Sequence, residues 1–416
     1  MSKARVPDSL NICLVGQRIQ ILSRSSDHGF LWPIARGLAK QGHKVTVLST
    51  LSSVGKAEVE RDGVKAFFLQ EDPDSKHQSF EDLAFKKFKQ LHAVQPFHIV
   101  HCMDSSGYII GKNKKNFKIS IAYDIESTQM SQLFSILGMG QETLRSLLTT
   151  AFAVAYKFLS TYFGKDRKLL KTADGIFVTN PQQRIILERY YLYPDYHIYQ
   201  VPYGVDLGDL TPRGNPTELR RKLDLPENSQ TAVTISDMTE IREIIPLLQA
   251  FERVAIKKPN AYLIIVGNGP YFKEIEFEVL KRALGSRVIM PGAVKNLELM
   301  DYILVGDVYI NLSSRTTGFE PSMIEAMAQK RVIIGSEVSP IANVVEDRGD
   351  GFLIRPADTD TLTQLLIQIF SGDIPVEEMG EKARAKVVDL FDPQRMIQSV
   401  NEAYRNILLR RGYYRQ

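Results

Sequence analysis

The sequence predicts an α/β protein built from two doubly wound parallel sheets, and three features of the 416-residue chain predict it. Short β-branched runs alternate with stretches of helical periodicity, the pattern of strand–helix–strand units in a parallel sheet. Near the middle of the chain, "YQVPYGVDLGDLTPRGNP" interrupts that alternation with Gly, Pro and Asp, and reads as an inter-domain linker. After it, the alternation starts again.

Taken in order, "LNICLVG" is a short apolar strand ending at Gly16. In "DHGFLWPIARGLAKQGHKVTVLST", Phe30, Ile34, Leu38 and Ala39 recur at helical spacing, Gly42 stops the helix, and "KVTVLS" is a second buried strand. "GVKAFFLQ", "FHIVHCMD" and "FKISIAYD" continue as strands with helical stretches between several of them. A long helical region runs from about Gln141 to Leu170, and "ADGIFVTN" is the next strand.

Beyond the linker, strands "TAVTIS", "AYLIIVGNGP", "RVIMPGAV" and "DVYINLS" alternate with helices "EIIPLLQAFERVAIKK", "KEIEFEVLKRALG" and "LELMDYILVG". The Ala- and Met-rich helix of "RTTGFEPSMIEAMAQKR" follows, then "RVIIGS", "GFLIRP" and two last helices. The expected domains are 1–204 and 205–385, with 386–416 crossing back to the first by a helix from about Pro393. Ligands are expected at the carboxyl ends of the strands, in a cleft between the domains.

Composition, 44% hydrophobic and 24% charged, is that of a globular protein. A net charge of +4 permits contact with phosphates or an anionic membrane surface, but shows no clustered basic face for nucleic acid. Cys13 and Cys102 lie in apolar runs and read as reduced core residues. The apolar part of "MSKARVPDSLNICLVG" is too short for a leader, and "LLTTAFAVAYKFLSTYF" is broken by Lys157 and hydroxyls. A cytoplasmic location is expected, with membrane association at the inner face as an option.

Several motifs have competing meanings. Glu325, in the first turns of the Ala/Met helix, reads either as a structural carboxylate or as part of a ligand site at a helix N-terminus. "GNG" (Gly267 to Gly269) lets the backbone pass close to a neighbour. "DPD" (Asp72 to Asp74) and "DTD" (Asp358 to Asp360) have the spacing of a metal-binding D-x-D but sit in turn-rich segments, where Asp358 reads as a helix cap. His98 and His101 belong to the core or to a cleft edge. The stretch from Phe152 to Phe163, followed by "KDRKLLK", reads as a core helix or as a surface for anionic lipid. The tail "RRGYYRQ" reads as a solvated terminus.

In its order of motifs the chain resembles the GT-B nucleotide-sugar glycosyltransferases, specifically the retaining "group 1" (family 4) type, whose signature is E-x-x-x-x-x-x-x-E. The resemblance covers most of the chain and is strongest from about Tyr199 to Phe391. "GLAKQGHKVTVLST" is similar to the family's first helix and second strand, and "LIIVGNGP" to the strand and Gly turn at the nucleotide. "VPYGVD" is similar to V-P-N-G-V-D, with Tyr203 in place of Asn. "FEPSMIEAMAQKRVIIGSEVSPIANVVEDRGDGFLIRPAD" is similar to the donor-site region almost throughout.

The resemblance implies two facing Rossmann-like domains with a cleft between them. It further implies transfer of a sugar, with retention, from a nucleotide diphosphate sugar to a glycan, lipid-linked or small-molecule acceptor, as in polysaccharide biosynthesis. No cofactor beyond that co-substrate and no metal are implied. The second Glu of the signature falls on Glu325, and the first on Thr317, beside Gly318 and Phe319. "G-R-L-x-x-x-K-G" falls on "SDMTEIRE", which places the phosphate Arg on Asp237 and the Lys on Arg242. The acceptor-domain His of "T-V-H-D" falls on Asp124, the loop glycine pair is reduced to Gly29 after Asp27 and His28, and the Glu of "G-G-x-x-E" becomes Asn343.

By the same resemblance, Arg242, Thr317 and Asp124 are the residues expected in the chemistry. Gly29, Asp237, Gly267, Gly269, Val294, Gly318, Phe319, Met323, Ile324 and Glu325 would bind the donor, and His101 would lie on the acceptor side. An Asp beside a diphosphate is repulsive, on the order of a few kcal/mol if partly buried. These substitutions give the alternative its basis: a catalytically degenerate GT-B protein acting as a binding or scaffolding module.

Overall fold

The computed structural model describes residues 6–17, 19, 31–50, 55–70, 79–125, 128–131, 156, 164–205, 208, 215–294, 296–313, 321–338 and 341–411. They divide into two compact units. One takes the described residues up to Val205 and those from Phe391 onward; the other takes Gly208 to Leu390.

The first unit holds β1 (Asn11–Val15), α1 (Leu31–Lys40), β2 (Lys44–Ser49), β3 (Glu58–Arg61), β4 (Val64–Phe68), α2 (Phe80–Val94), β5 (Ile99–Met103), α3 (Tyr108–Lys112), α4 (Lys114–Phe117), β6 (Ser120–Asp124), α5 (Lys165–Thr172), β7 (Gly175–Val178), α6 (Pro181–Tyr190) and β8 (Ile198–Gln200). Its sheet runs β3-β4-β2-β1-β5-β6-β7-β8. Every pairing is parallel except β3 with β4. Strands β1, β5, β6 and β7 are buried along their whole length, as continuous apolar runs covered on both faces must be. The β3–β4 hairpin turns at Asp62 and Gly63, both with positive φ (52° and 77°), the left-handed pair whose twist suits a two-residue hairpin. A reciprocal cap closes the start of α2: Ser79 Oγ accepts from the Asp82 N–H, and the Asp82 carboxylate accepts from the Ser79 N–H.

The second unit holds α7 (Pro216–Lys222), β9 (Gln230–Ile235), α8 (Ile241–Lys257), β10 (Ala261–Val266), α9 (Phe272–Lys281), β11 (Val288–Gly292), α10 (Asn296–Val305), β12 (Val308–Asn311), α11 (Pro321–Ala328), β13 (Val332–Ser336), β14 (Gly351–Ile354), α12 (Thr359–Ser371) and α13 (Val376–Leu390). Its wholly parallel sheet runs β11-β10-β9-β12-β13-β14. Counted from its first strand, this is the doubly wound order 3-2-1-4-5-6, and the winding reverses between β9 and β12. Pro291 falls in β11, an edge strand, where a missing N–H leaves no ladder bond unmade. Residues Met323 to Ala328 of α11 are all buried, so this helix is enclosed on every side.

Helix α14 (Pro393–Arg411) belongs to the first unit. Its Ile397 packs where a Cβ on Gly37 of α1 would come within 2.4 Å, and Asn401 bonds the His43 ring at 2.9 Å. The second unit extends to Leu390 because α13 is one unbroken helix packed against α11 and β13. Tyr203 is buried against Phe391 at 6.5 Å between centroids, and the Val205 N–H donates to the Phe391 carbonyl. The aromatic residue in the "VPYGVD" motif is therefore a packing group.

Candidate functional site

Ligands of doubly wound sheets sit beyond the carboxyl ends of the strands where the winding reverses. In the second unit that place is bordered by the loops after β9, β10 and β12. After β9, Ser236 Oγ accepts from the Met238 N–H at 3.0 Å, and Asp237 Oδ1 accepts from the Thr239 N–H and hydroxyl at 3.2 and 2.8 Å. Met238 is fully buried at a φ of 49°. Turn chemistry of this kind explains an Asp without reference to any phosphate. The carboxylate expected to oppose a diphosphate is folded back onto its own loop.

Glu240 caps α8 by accepting from the Arg242 N–H at 3.3 Å, and its carboxylate stands 3.5 Å from Arg242 Nε. The Arg242 side chain is 67% exposed, so its guanidinium stands in solvent at the first turn of α8.

The two glycines after β10 have a backbone explanation. A Cβ on Gly267 would lie 1.8 Å from the Ser236 carbonyl oxygen, and one on Gly269 would lie 1.8 Å from that of Asp237. Gly267 also has a φ of 132°, open only to glycine without strain. Both loops are thus pressed together, and the Tyr271 N–H ties them with a bond to the Met238 carbonyl. The close approach predicted for "GNG" is, first of all, an approach of one loop to the other.

Beyond β12, Asn311 Oδ1 accepts from the Ser313 N–H at 3.0 Å. Tyr309 in β12 reaches Ser322 in the first turn of α11, hydroxyl to hydroxyl, at 2.8 Å. Glu325 follows one turn later and is 2% exposed. Met323 and Ile324, expected as donor contacts, are core side chains with 1% and 0% exposure, so only their backbone could serve a ligand. Val294 lies half-buried after β11, and Asn343 is exposed in a single turn of tight helix. Gly29, Thr317, Gly318 and Phe319 lie outside the described residues, as do Asp72 to Asp74 and nearly all of the Phe152 to Phe163 stretch.

In the first unit, Asp124 ends β6 and His101 lies beside it in β5, both buried. His101 Nε2 is 3.2 Å from Asp124 Oδ2, and His101 Nδ1 is 2.7 Å from the hydroxyl of Tyr404 on α14. His101 has no exposed surface and lies between Asp124 and Tyr404. Tyr404 was missed. It stands 303 positions away along the chain from His101, and the one trace in the sequence is the spacing Met396, Val400, Tyr404 on the inner face of α14.

Of the other motifs, Asp358 caps α12 through the Thr361 N–H and hydroxyl. His98 accepts the Asn11 N–H on Nδ1 at 2.7 Å, a core role. Both cysteines are buried free thiols, whose pKa burial pushes up. Among the described residues, no group of three His, Cys, Asp or Glu is placed to hold a metal ion, and no helix is long and apolar enough to cross a membrane.

Comparison with known proteins fits this geometry. Residues 215–386, most of the second unit, match the family model described as Glycosyl transferases group 1. N-acetyl-alpha-D-glucosaminyl L-malate synthase of Bacillus anthracis is 26% identical over 192 residues, 46% of this chain and 49% of that protein. An Escherichia coli UDP-Gal:alpha-D-GlcNAc-diphosphoundecaprenol alpha-1,3-galactosyltransferase is 23% identical over 255 residues, 60% of this chain and 63% of that protein. The chain thus spans about half the length of the curated relatives it matches. Sucrose-phosphate synthase from Thermosynechococcus elongatus superimposes with a TM-score of 0.74 at 20% identity, covering 95% of this chain and 98% of that one. Anabaena HepE in complex with UDP-glucose gives 0.72 at 14% identity, covering 94% and 98%. The fold is GT-B: two Rossmann-like units, the second carrying the region similar to group 1 glycosyltransferases.

Proposed function

We propose that the protein is a glycosyltransferase that moves a sugar from a nucleotide diphosphate sugar to a hydroxyl of a glycan, lipid-linked or small-molecule acceptor, with retention of anomeric configuration. The observation that carries this assignment is Glu325, a buried carboxylate one turn into the helix that follows β12 and lies within the matched region. In the family that the chain resembles, the second Glu of the signature, here Glu325, works at the nucleoside of the donor. Accepting hydrogen bonds from ribose hydroxyls would be such work.

In this assignment Arg242 and the N-terminal amides of α8 and α11 face the diphosphate, whose charge grows as the glycosidic bond breaks. Thr317 and its neighbours would contact the donor sugar, and Asp124 the acceptor. A positive side chain and helix amides supply this charge without a divalent metal. Relatives named for UDP-sugar and lipid-linked substrates support a nucleotide-sugar donor here. Cytoplasmic placement, with contact at the inner face of a membrane, belongs to the same proposal.

One observation favours a second reading, a binding module without turnover: an Asp stands where the phosphate Arg would be. Purified protein titrated with UDP-, GDP- and ADP-sugars, followed by assay of donor consumption and product anomer, separates the two. Binding with turnover supports the transferase, and binding without turnover supports the module.

A further inference from the structure

The amino ends of β6, β7 and β8 lie side by side in the first sheet. Asp174, just ahead of β7, takes Lys114 Nζ at 2.8 Å and the Arg411 guanidinium on Oδ1, and the Ile121 N–H at 2.9 Å on Oδ2. Lys114 also donates to the Thr172 carbonyl. Arg410 donates to that of Tyr196, whose ring it covers at 5.2 Å. Helix α4, the ends of α5 and α14 and the segment before β8 are thereby drawn to one edge.

That edge carries more positive charge than its own packing uses. Lys115 and Lys118 precede β6 and Lys171 precedes β7; all three are exposed and enter no ion pair among the described residues. Adjacent strands stand about 4.8 Å apart, so the three strand starts span roughly 10 Å, about one Debye length, and their charges act together. Asp195, exposed next to Tyr196, offsets part of this charge.

Apolar side chains stand beside the cations. Leu192, Tyr196 and Leu409 are 77%, 58% and 43% exposed. Leu192 also has a φ of 52°, a left-handed conformation that leucine adopts at a cost and asparagine adopts readily. The fold gains neither burial nor an easier turn from leucine there. Helix dipoles account for cations at helix ends, but not for exposed apolar groups among them.

We propose that this edge of the first unit docks on an anionic phospholipid surface. Leu192, Tyr196 and Leu409 enter the headgroup layer, while Lys115, Lys118, Lys171 and Arg410 face lipid phosphates. The apolar groups favour lipid over nucleic acid, which would need only the charge. Sequence hides this surface because its cations come from separate segments and assemble only around Asp174. Asp124 lies at the other end of β6, so docking leaves the acceptor side uncovered. The inference rests on the membrane contact in the functional reading, not on turnover.

The test is flotation of the purified full chain with vesicles of phosphatidylcholine alone, and of equimolar phosphatidylcholine and phosphatidylglycerol. The wild type should float with the anionic vesicles only, and raised salt should release it. Lys115→Gln with Lys171→Gln should bind about 25-fold more weakly, about fivefold for each cation removed. Lys222→Gln with Lys257→Gln, the same charge change at exposed sites of the second unit, should bind as the wild type does. Leu192→Asn should bind severalfold more weakly with a melting temperature unchanged or raised, which a structural leucine would not allow. No flotation with anionic vesicles, equal flotation with neutral ones, or equal loss in the two double variants overturns the proposal. Binding of RNA in place of vesicles overturns it as well. A chain that floats as expected but transfers no sugar keeps this surface and loses the transferase assignment; one that transfers sugar and ignores vesicles does the reverse.

Discussion

The carbonyl oxygen of Asp237 occupies the space that a Cβ on Gly269 would need, at 1.8 Å. The β9 and β10 loops therefore fit together only with glycine at that position. Gly269→Ala is expected to force the loops apart and to destabilise the protein by about 1–3 kcal/mol, the range for overpacking a tight contact. Thermal unfolding checks the stability, and nucleotide titration checks whether affinity falls as well. A wild-type melting temperature would show that the loops give way freely.

Glu325→Gln should weaken binding of the nucleoside part by about 1–3 kcal/mol, because a charged acceptor for ribose hydroxyls becomes a neutral one. The effect should appear equally with nucleoside, nucleoside diphosphate and nucleotide sugar. Uniform loss across the three is the outcome that calorimetry should return.

Arg242→Ala should weaken diphosphate ligands by about tenfold or more and leave the bare nucleoside almost unaffected. Asp237→Asn should act the other way. Asn keeps the oxygen that Thr239 bonds, so the turn survives while one negative charge is removed, with a gain of about 0.5–1 kcal/mol at low salt. Loss of the gain on adding salt would confirm its electrostatic origin.

Acid should destabilise the first unit before the second. All seven histidines fall between His28 and His197. His43, His92 and His98 accept backbone N–H groups on Nδ1, from Leu10, Phe97 and Asn11. Burial, the largest cause for each, lowers their pKa below the ordinary 6.5. Depressed folded values mean that this stability is complete above about pH 6.5 and is lost as pH falls through the lower folded values. Melting followed by a probe in each unit should show the first falling by roughly 2–4 °C more than the second between pH 7.5 and 5.5. Equal shifts in both units would contradict this.

The second unit was largely legible in the sequence. Its strands are apolar runs, each followed by a Gly turn or a helix with one clear face, and the doubly wound order follows from right-handed crossovers. In the first unit the β3–β4 hairpin escaped, although "RDGV" holds the Asp-Gly pair that signals it. Asp237 was read as an anomaly at a phosphate because sequence cannot show that its carboxylate bonds Thr239. Tyr404 could not be reached at all, since nothing local links residues 404 and 101 before the last helix docks.

The most direct test is calorimetric titration of the wild type, Glu325→Gln and Arg242→Ala with UDP-, GDP- and ADP-sugars. A glycosyltransferase with this site should bind one of the three, losing nucleoside affinity in the first variant and only diphosphate affinity in the second. No binding by the wild type, with none from either variant, would contradict a nucleotide-sugar site.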